Sequence, residues 1–286
     1  MRPLMLLSAM ALVGCGTAAA TTLDKTKLPL GDQKTATAPK QGSLYSCQQT
    51  FDTNAPGAGT KGPWIDGDTW DMTQKLSVAG SVSHDAVFKV RIAGGRTLVT
   101  GNGLPSISGT FPVAASDPAY QYDRNPNSIR SYTLSVSLPA SPERAATASC
   151  AGGTVGVTTK GIAIFSAFDA GGRDAMANEL QDKCGGHPQV AGQYHFHGFS
   201  ACAKKTGLWG YALDGFGIYG PRTASGTTLT TADLDACHGI TSSVKWRGKY
   251  RRIYHYVATD DFPYTVGCFR GTPITSATGL GIGRPG

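Results

Sequence analysis

The feature that most constrains the fold is the short length of the apolar segments, which glycine and proline interrupt at frequent intervals. Of the 286 residues, 38 are glycine and 16 are proline. Between these breaks apolar and polar residues alternate, as they do in half-buried β-strands. The clearest such segments are 76–82, 86–92, 131–138 and 154–157. The sequence therefore predicts a mainly β fold (α+β with few short helices), either β-sandwich-like or an irregular β-rich single domain.

The amino terminus has the pattern of an export signal. Arg2 precedes a short apolar run that ends in the letters LVGC at residues 12–15. The run is too short to cross a bilayer as a helix, and a small residue before a cysteine is typical of a processing site. The segment resembles a bacterial lipoprotein signal peptide, which implies removal of residues 1–14 and acylation of Cys15. The alternative is a secretory signal peptide that merely contains a cysteine.

A lipid on Cys15 would anchor the chain to a membrane without crossing it. We therefore expect a lipoprotein of the bacterial cell envelope that faces the periplasm or the cell surface. Residues 15–44 are expected to be the lipidated cysteine and a flexible tether, because 17–44 is rich in Thr, Ala, Lys, Gly and Pro and lacks apolar periodicity. Residues 45–286 are long enough for one β-rich domain with a real core.

The charge balance does not argue for dedicated nucleic-acid binding. The formal net charge is +7, and the loss of Arg2 with the signal would reduce it by one. So modest an excess argues weakly for an anionic surface or ligand.

Six cysteines follow Cys15, and an even number in an exported chain predicts disulfides. Many connectivities are possible, and we expect three pairs that staple the domain. The expected pairs are Cys184 with Cys202, Cys237 with Cys268, and Cys47 with Cys150. No CxxC pair occurs, which disfavours a thiolate metal site.

The stretch GQYHFHG, residues 192–198, carries the strongest chemical signal. On a strand, His195 and His197 point to the same face, spaced to share one metal ion. A similar element, YHYV at 254–257, supplies His255 as a third candidate ligand. Three imidazoles suit Zn, Cu, Fe or Ni better than Ca or Mg. The alternative is a pair of histidines that hydrogen-bond to backbone in a polar cleft.

Other residues near these motifs are candidates for supporting roles. His187 and His238 each lie close after a cysteine, so disulfides could hold them near the site as a fourth ligand or an acid/base group, or they make ordinary loop hydrogen bonds. Asp214 is the candidate carboxylate for orienting or deprotonating a bound water. Glu179 shares a helix face with Asp182, and a solvated face is the favoured interpretation of that pair.

A run of ordered motifs resembles the YHYH domain family. The motifs are CGGHP (184–188), YHFHG (194–198), LDGFGIYGP (213–221), LDACHG (234–239), YHY (254–256) and FPYTVGCFRG (262–271), with TGNGLP (100–105), GTFP (109–112) and NPN (125–127) upstream. The resemblance covers about residues 84–271. It implies an exported or surface-associated protein with the histidine strands at its centre, and it places Asp214 and Tyr219 near that centre. Val257 stands where a second histidine would be expected.

Three hypotheses for function follow. The first is a histidine-rich site at His195, His197 and His255 that binds copper or zinc and handles the metal in the envelope. The second is a metal-dependent hydrolase or oxidoreductase that uses the bound ion. The third is a surface recognition domain with structural histidines, in which the basic and aromatic stretch 245–252 contacts an anionic polymer or another envelope component.

Overall fold

The computed structural model describes residues 23–52 and 60–282. The predicted signal peptide and the acylation site Cys15 lie outside the described residues. One α-helix, α1 (Ala175–Asn178), and two short 3-10 helices (Pro118–Gln121 and Thr231–Asp233) accompany the strands. The strands are β1 (Leu28–Pro29), β2 (Thr35–Ala36), β3 (Leu44–Tyr45), β4 (Ile65–Asp66), β5 (Thr69–Trp70), β6 (Val82–Ser83), β7 (Phe88–Ala93), β8 (Arg96–Gly101), β9 (Ile107–Ser108), β10 (Leu134–Pro139), β11 (Thr154–Thr158), β12 (Ala163–Phe165), β13 (Gly186–Pro188), β14 (Tyr194–Phe196), β15 (Leu208–Ala212), β16 (Gly217–Tyr219), β17 (Gly239–Trp246) and β18 (Lys249–Val257).

The fold is mainly β, as predicted, and an eight-stranded sheet dominates it. The strand order in that sheet is β13-β14-β12-β11-β15-β16-β18-β17. Two three-stranded sheets, β10-β8-β7 and β1-β5-β4, and two two-stranded sheets, β2-β3 and β6-β9, complete the described structure. Buried residues of the central strands, such as Val155, Ile164 and Ile218, are part of the hydrophobic core.

The large sheet consists of two halves with the same strand pairing. From the centre outward, β11, β12, β14 and β13 pair antiparallel, parallel and antiparallel, and β15, β16, β18 and β17 repeat that sequence. The halves meet at the antiparallel pair β11 and β15, where Val157 lies opposite Tyr211. An approximate two-fold axis through this pair relates β11 to β15.

Details of the backbone repeat across this axis. Each inner pair has a register irregularity, between Thr154 and Gly156 in one half and between Leu208 and Gly210 in the other. The two glycines meet the opposite central strand, since a Cβ on Gly156 would lie 2.6 Å from the Tyr211 carbonyl oxygen and one on Gly210 would lie 2.8 Å from that of Val157. The motif similarity between 194–197 and 254–257 is therefore part of a repeat that spans the sheet.

Three disulfides cross-link the domain and join the pairs that were expected. Cys47 is bonded to Cys150, Cys184 to Cys202, and Cys237 to Cys268. The last two occupy equivalent places in the two halves. One residue separates Cys184 from the start of β13, and one residue separates Cys237 from the start of β17.

The segment that the composition assigned to a tether packs on the domain from residue 23 onward. Leu28 and Leu44 are fully buried in the core, and the Gly31 amide donates to the Asp174 carboxylate at 2.9 Å. The low apolar content of the segment gave no indication of these contacts, because only two isolated leucines anchor it. Within 23–52 and 60–282 there is no helix with the length and apolar character required to cross a membrane.

Two predicted elements differ from the structure. Segment 76–82 is irregular up to β6 because Gly80 has a φ of +99°, and Val78 makes an isolated bridge to Asp182. The helix that was expected to carry Glu179 and Asp182 is only α1, Ala175–Asn178, which ends before both residues. Asp174 caps this helix by accepting hydrogen bonds from the Met176 and Ala177 amides, and Glu179 is already extended.

Candidate metal centre

The candidate centre lies at one edge of the large sheet, on β13 and β14. These strands pair antiparallel, with His187 directly opposite His195. His197 follows two residues after His195, and alternation places both imidazoles on the same face of the strand. All three histidines are 3% exposed, so the ring atoms are removed from bulk water.

Three histidines and one glutamate converge there. One ring nitrogen from each histidine lies within 4.8 Å of the others. The Nε2 atoms of His195 and His197 are 3.0 Å apart. Glu179 Oε2 lies 3.3 Å from His197 Nε2 and 3.5 Å from His187 Nε2.

The other ring nitrogens of the HxH pair fix where the ring protons lie. His195 Nδ1 is 3.2 Å from the Gln193 carbonyl oxygen, and His197 Nδ1 is 2.6 Å from that of Ser166. A carbonyl oxygen can only accept, so in both rings Nδ1 carries the proton and donates. In neutral imidazoles both Nε2 atoms are then acceptors, and two lone pairs face each other. Neither atom can satisfy the other without a cation or an additional proton.

Burial makes an additional proton unfavourable. It lowers the pKa of His195 well below the ordinary value, and the neighbouring His197 lowers it further. Burial also lowers the pKa of His197 to about 4, against the hydrogen bond to Ser166. For His187, burial and the two other imidazoles act in the same direction. At neutral pH the three rings are therefore neutral and offer unprotonated nitrogens.

Several polar atoms of the cluster lack hydrogen-bond partners in the described part of the chain. They are both ring nitrogens of His187 and Oε2 of Glu179. Burying such groups without a partner costs about 1–3 kcal/mol each. A metal ion among the four side chains would give a partner to Glu179 Oε2 and to one ring nitrogen of His187.

The spacing fits a small metal ion with four ligands. Metal to nitrogen distances of about 2.0–2.1 Å in a tetrahedral zinc site place neighbouring ligand atoms about 3.3–3.4 Å apart. Three of the distances, 3.0, 3.3 and 3.5 Å, bracket this value, whereas the ring nitrogens of the three histidines are spread over up to 4.8 Å. With a small movement of the rings, the residues present therefore fit a four-coordinate ion with three imidazoles and one carboxylate.

Glu179 was not among the predicted ligands, since a solvated helix face was the favoured interpretation. Because α1 ends at Asn178, Glu179 leaves the helix and directs its carboxylate to the histidines, with 15% of the side chain exposed. Burial raises its pKa well above the ordinary value, and Asp169 and Asp123 add to this. A short helix before an HxH strand is too weak a signal to identify such a ligand from sequence.

Lys75 brings a positive charge to the same region. Its Nζ donates to the Met176 carbonyl oxygen and to Gln181 Oε1. Burial lowers the pKa of Lys75 to about 8, while the nearby carboxylates of Asp174 and Glu179 oppose the shift. This charge helps to balance Glu179 and disfavours protonated histidines beside it.

Tyr194 and Gly186 hold the two histidine strands together. The Tyr194 hydroxyl donates to Asp182 Oδ2 at 2.9 Å, and Asp182 Oδ1 accepts from the amides of Cys184 and Gly186. A Cβ on Gly186 would lie 2.3 Å from the Tyr194 ring, so only glycine allows this contact. The first tyrosine of the motif thus sets the position of β14 on β13.

His255 is not part of the cluster, contrary to the prediction. It lies on β18, and four strands separate β18 from β14 in the sheet, a distance of about 24 Å at about 4.8 Å per strand. It is the counterpart of His195 in the second half, where Nδ1 likewise meets a backbone carbonyl oxygen, that of Ile253. Ile240 lies opposite it and Val257 stands two residues after it, so the positions equivalent to His187 and His197 have no imidazole.

Of the candidates for acid/base chemistry, the structure brings His187 alone into the cluster. Asp214 Oδ2 accepts from the Tyr256 hydroxyl at 2.6 Å and from the Gly271 amide at 2.9 Å. His238 Nε2 is 3.0 Å from Thr259 Oγ1. Tyr219, which the resemblance placed near the centre, packs against the ring of His255. Asp214, His238 and Tyr219 therefore belong to the second half.

The basic stretch 245–252 forms the tip of the hairpin made by β17 and β18. Its charged side chains are exposed, namely Lys245, Arg247, Lys249, Arg251 and Arg252. Tyr250 is 68% exposed. The hairpin thus presents a cationic and aromatic surface on the opposite edge of the sheet from the histidine cluster.

Residues 135–229 match the family model described as YHYH protein. This confirms the family recognised from the motifs, over a shorter stretch than 84–271. The matched stretch includes Glu179 and the three clustered histidines, and it ends before β17. No curated protein and no solved structure matches the chain.

Proposed function

We propose that this chain, which contains a YHYH domain, binds one transition-metal ion through His187, His195, His197 and Glu179. The observation that carries the proposal is the pair of Nε2 acceptors of His195 and His197 facing each other at 3.0 Å. Glu179 Oε2 lies 3.3 Å from His197 Nε2 and would be an anionic ligand once a metal ion replaces its proton. Two buried acceptors this close, beside a carboxyl group, favour a cation among them.

The ligand set favours zinc, and copper(II) is the alternative. Imidazole nitrogens suit both ions, whereas a carboxylate in place of sulfur disfavours copper(I). Zinc has no electronic preference of geometry and takes a tetrahedral arrangement readily. Copper(II) binds more tightly to most nitrogen and oxygen sites, so we expect it to displace zinc when both are supplied in excess.

The burial of the site supports metal holding rather than catalysis. The three histidines are 3% exposed, and none of the four side chains lines the cavities of about 400 and 300 Å³ elsewhere on the domain. Structural sites have four protein ligands, while catalytic zinc sites keep one position for water or substrate. We therefore propose metal handling in a closed site and place the metal-dependent hydrolase or oxidoreductase second.

For the location, we propose that Cys15 carries a lipid and holds the domain at a membrane of the bacterial envelope, facing the periplasm or the cell surface. The signal-like sequence of residues 1–15 supports this. The three disulfides also fit an oxidising compartment.

For the basic hairpin, we propose contact with an anionic polymer or another anionic component of the envelope. Its five cations and exposed Tyr250 support this. Binding of the protein to an anionic polysaccharide, measured at rising salt, would weaken with ionic strength, and Arg251→Gln/Arg252→Gln would reduce it. Equal binding by wild type and variant would contradict the proposal.

Elemental analysis of protein purified without an affinity tag tests the metal site. Wild type is expected to contain one zinc or copper ion per chain, and His195→Ala/His197→Ala none. His255→Ala is the matched control because it removes the equivalent histidine of the other half. Far-ultraviolet circular dichroism shows whether each variant is folded. An unchanged metal content in a folded double variant would contradict the assignment.

A further inference from the structure

The opposite face of β14 borders a cavity of about 400 Å³. Tyr194 and Phe196 line it, whereas His195 and His197 point to the other face. Ile162, Leu208 and Trp209 complete an apolar wall. The volume is at the lower end of the range of about 300–1,000 Å³ that small-molecule sites occupy.

The charged groups of this cavity have one sign. Lys160 and Lys204 line it, and no aspartate or glutamate does. Both lysines are exposed, and neither forms an ion pair with any residue within 23–52 or 60–282. The Tyr194 hydroxyl already donates to Asp182. The cavity thus combines an aromatic and aliphatic wall with free cations.

The repeat shows how the cavity arises. In the second half the positions of Lys160 and Phe196 are held by Asp214 and Tyr256, since Val157 corresponds to Tyr211 and His195 to His255. There the Tyr256 hydroxyl donates to Asp214 at 2.6 Å. The first half has a cation, Lys160, in place of this carboxylate, and Phe196 lacks the hydroxyl.

In the second half, the chain itself fills part of the equivalent space. The Gly271 amide donates to Asp214 Oδ2 at 2.9 Å, and a Cβ on Gly271 would lie 3.2 Å from Phe216, the counterpart of Ile162. The rest of that space is the cavity of about 300 Å³ that Phe216 and Tyr254, the counterparts of Ile162 and Tyr194, line. The two cavities therefore differ at Lys160, where the second half has the buried carboxylate of Asp214.

We propose that this cavity binds a small amphipathic carboxylate, with an apolar chain or ring against Phe196 and Trp209 and the carboxylate at Lys160 and Lys204. The site is separate from the metal centre and does not depend on the proposed function. The two lysines favour an anionic ligand by charge complementarity, and the apolar wall favours a ligand with an apolar chain or ring.

Octanoate is the test ligand, with 1-octanol as the uncharged control. The Nε1–H signal of Trp209 in a ¹⁵N-resolved spectrum, assigned with Trp209→Phe, reports binding to the folded full chain. Octanoate is expected to shift this signal with saturation, and to bind about tenfold more tightly than 1-octanol, which equals about 1.4 kcal/mol. No shift of Trp209, or equal affinities for both ligands, would overturn the proposal.

Two variants separate the contributions of charge and space. Lys160→Gln/Lys204→Gln is expected to weaken octanoate to the affinity of 1-octanol. Lys40→Gln/Lys61→Gln, which changes the charge equally at two exposed lysines that do not line the cavity, leaves the affinity unchanged. Lys160→Asp/Phe196→Tyr copies the second half and is expected to abolish octanoate binding. Octanoate affinity that survives either cavity variant unchanged would overturn the proposal.

Discussion

The Nε2 atoms of His195 and His197 face each other across 3.0 Å, while each ring directs Nδ1 to a backbone carbonyl oxygen. This arrangement leaves two buried acceptors without a donor between them. Glu179 adds a carboxyl oxygen at 3.3 Å from His197 Nε2. The protein has thus concentrated acceptors that repel one another, and a bound cation converts that repulsion into attraction.

Metal removal should lower the stability of the domain. An ion that binds the folded state alone adds about 4 kcal/mol when present at 1,000 times its dissociation constant. We expect a chelator to lower the melting temperature of wild type and of His255→Ala. His195→Ala/His197→Ala should melt at the same temperature with and without chelator. A chelator effect of equal size in this variant would place the ion elsewhere.

Glu179→Gln should weaken metal binding while the fold is kept. The amide has nearly the same shape but carries no charge, so we expect the affinity to fall at least about tenfold, or about 1.4 kcal/mol. Competition with a chromophoric chelator measures this. Glu143→Gln is the control, because Glu143 is exposed and is not in the cluster. Equal affinities in both variants would show that the carboxylate is not a ligand.

The second half should accept a metal when its missing imidazoles are supplied. Ile240 lies opposite His255, as His187 lies opposite His195, and Val257 corresponds to His197. Ile240→His/Val257→His should therefore raise the metal content from one ion per chain to two, with the second held more weakly because it lacks a carboxylate. Ile240→Gln/Val257→Gln should stay at one ion. A histidine variant that also holds one ion would argue against the equivalence of the halves.

His238 should make the domain less stable in mild acid. Burial lowers its pKa from 6.5 to about 3, so below pH 6.5 the unfolded chain takes up a proton that the folded chain does not. Stability from this group is complete above pH 6.5 and declines as the pH falls towards 3. Between pH 7 and 5 the loss is about 2 kcal/mol, at about 1.4 kcal/mol for each pH unit below 6.5.

His238→Asn should remove this part of the pH dependence. Asparagine tolerates the φ of +70° at this position. Urea unfolding of wild type and variant at pH 7 and pH 5, both with chelator, measures the difference in slope. An identical loss of stability in the two proteins would assign the pH dependence to other groups.

Alternation of apolar residues was enough to predict a mainly β fold, and the period of two correctly placed His195 and His197 on one face. The prediction of His255 as the third ligand was wrong. The YHYV segment at 254–257 forms the same kind of strand as 194–197 but lies elsewhere in the sheet. A two-fold relation places His255 towards the other edge of the sheet, and only the strand order reveals this.

The positions of Glu179 and His187 depend on tertiary structure in the same way. The direction of Glu179 follows from the end of α1 at Asn178, which propensity does not determine to one residue. The opposition of His187 and His195 depends on the register of β13 and β14, which Tyr194 and Asp182 fix. Local sequence carries neither piece of information.

Diffraction from crystals of zinc-loaded protein, recorded on both sides of the zinc absorption edge, tests the central claim most directly. The account predicts one strong anomalous peak about 2.0–2.1 Å from a ring nitrogen of His187, His195 and His197 and from a Glu179 oxygen. A peak at His255, or none among these four side chains, would contradict it.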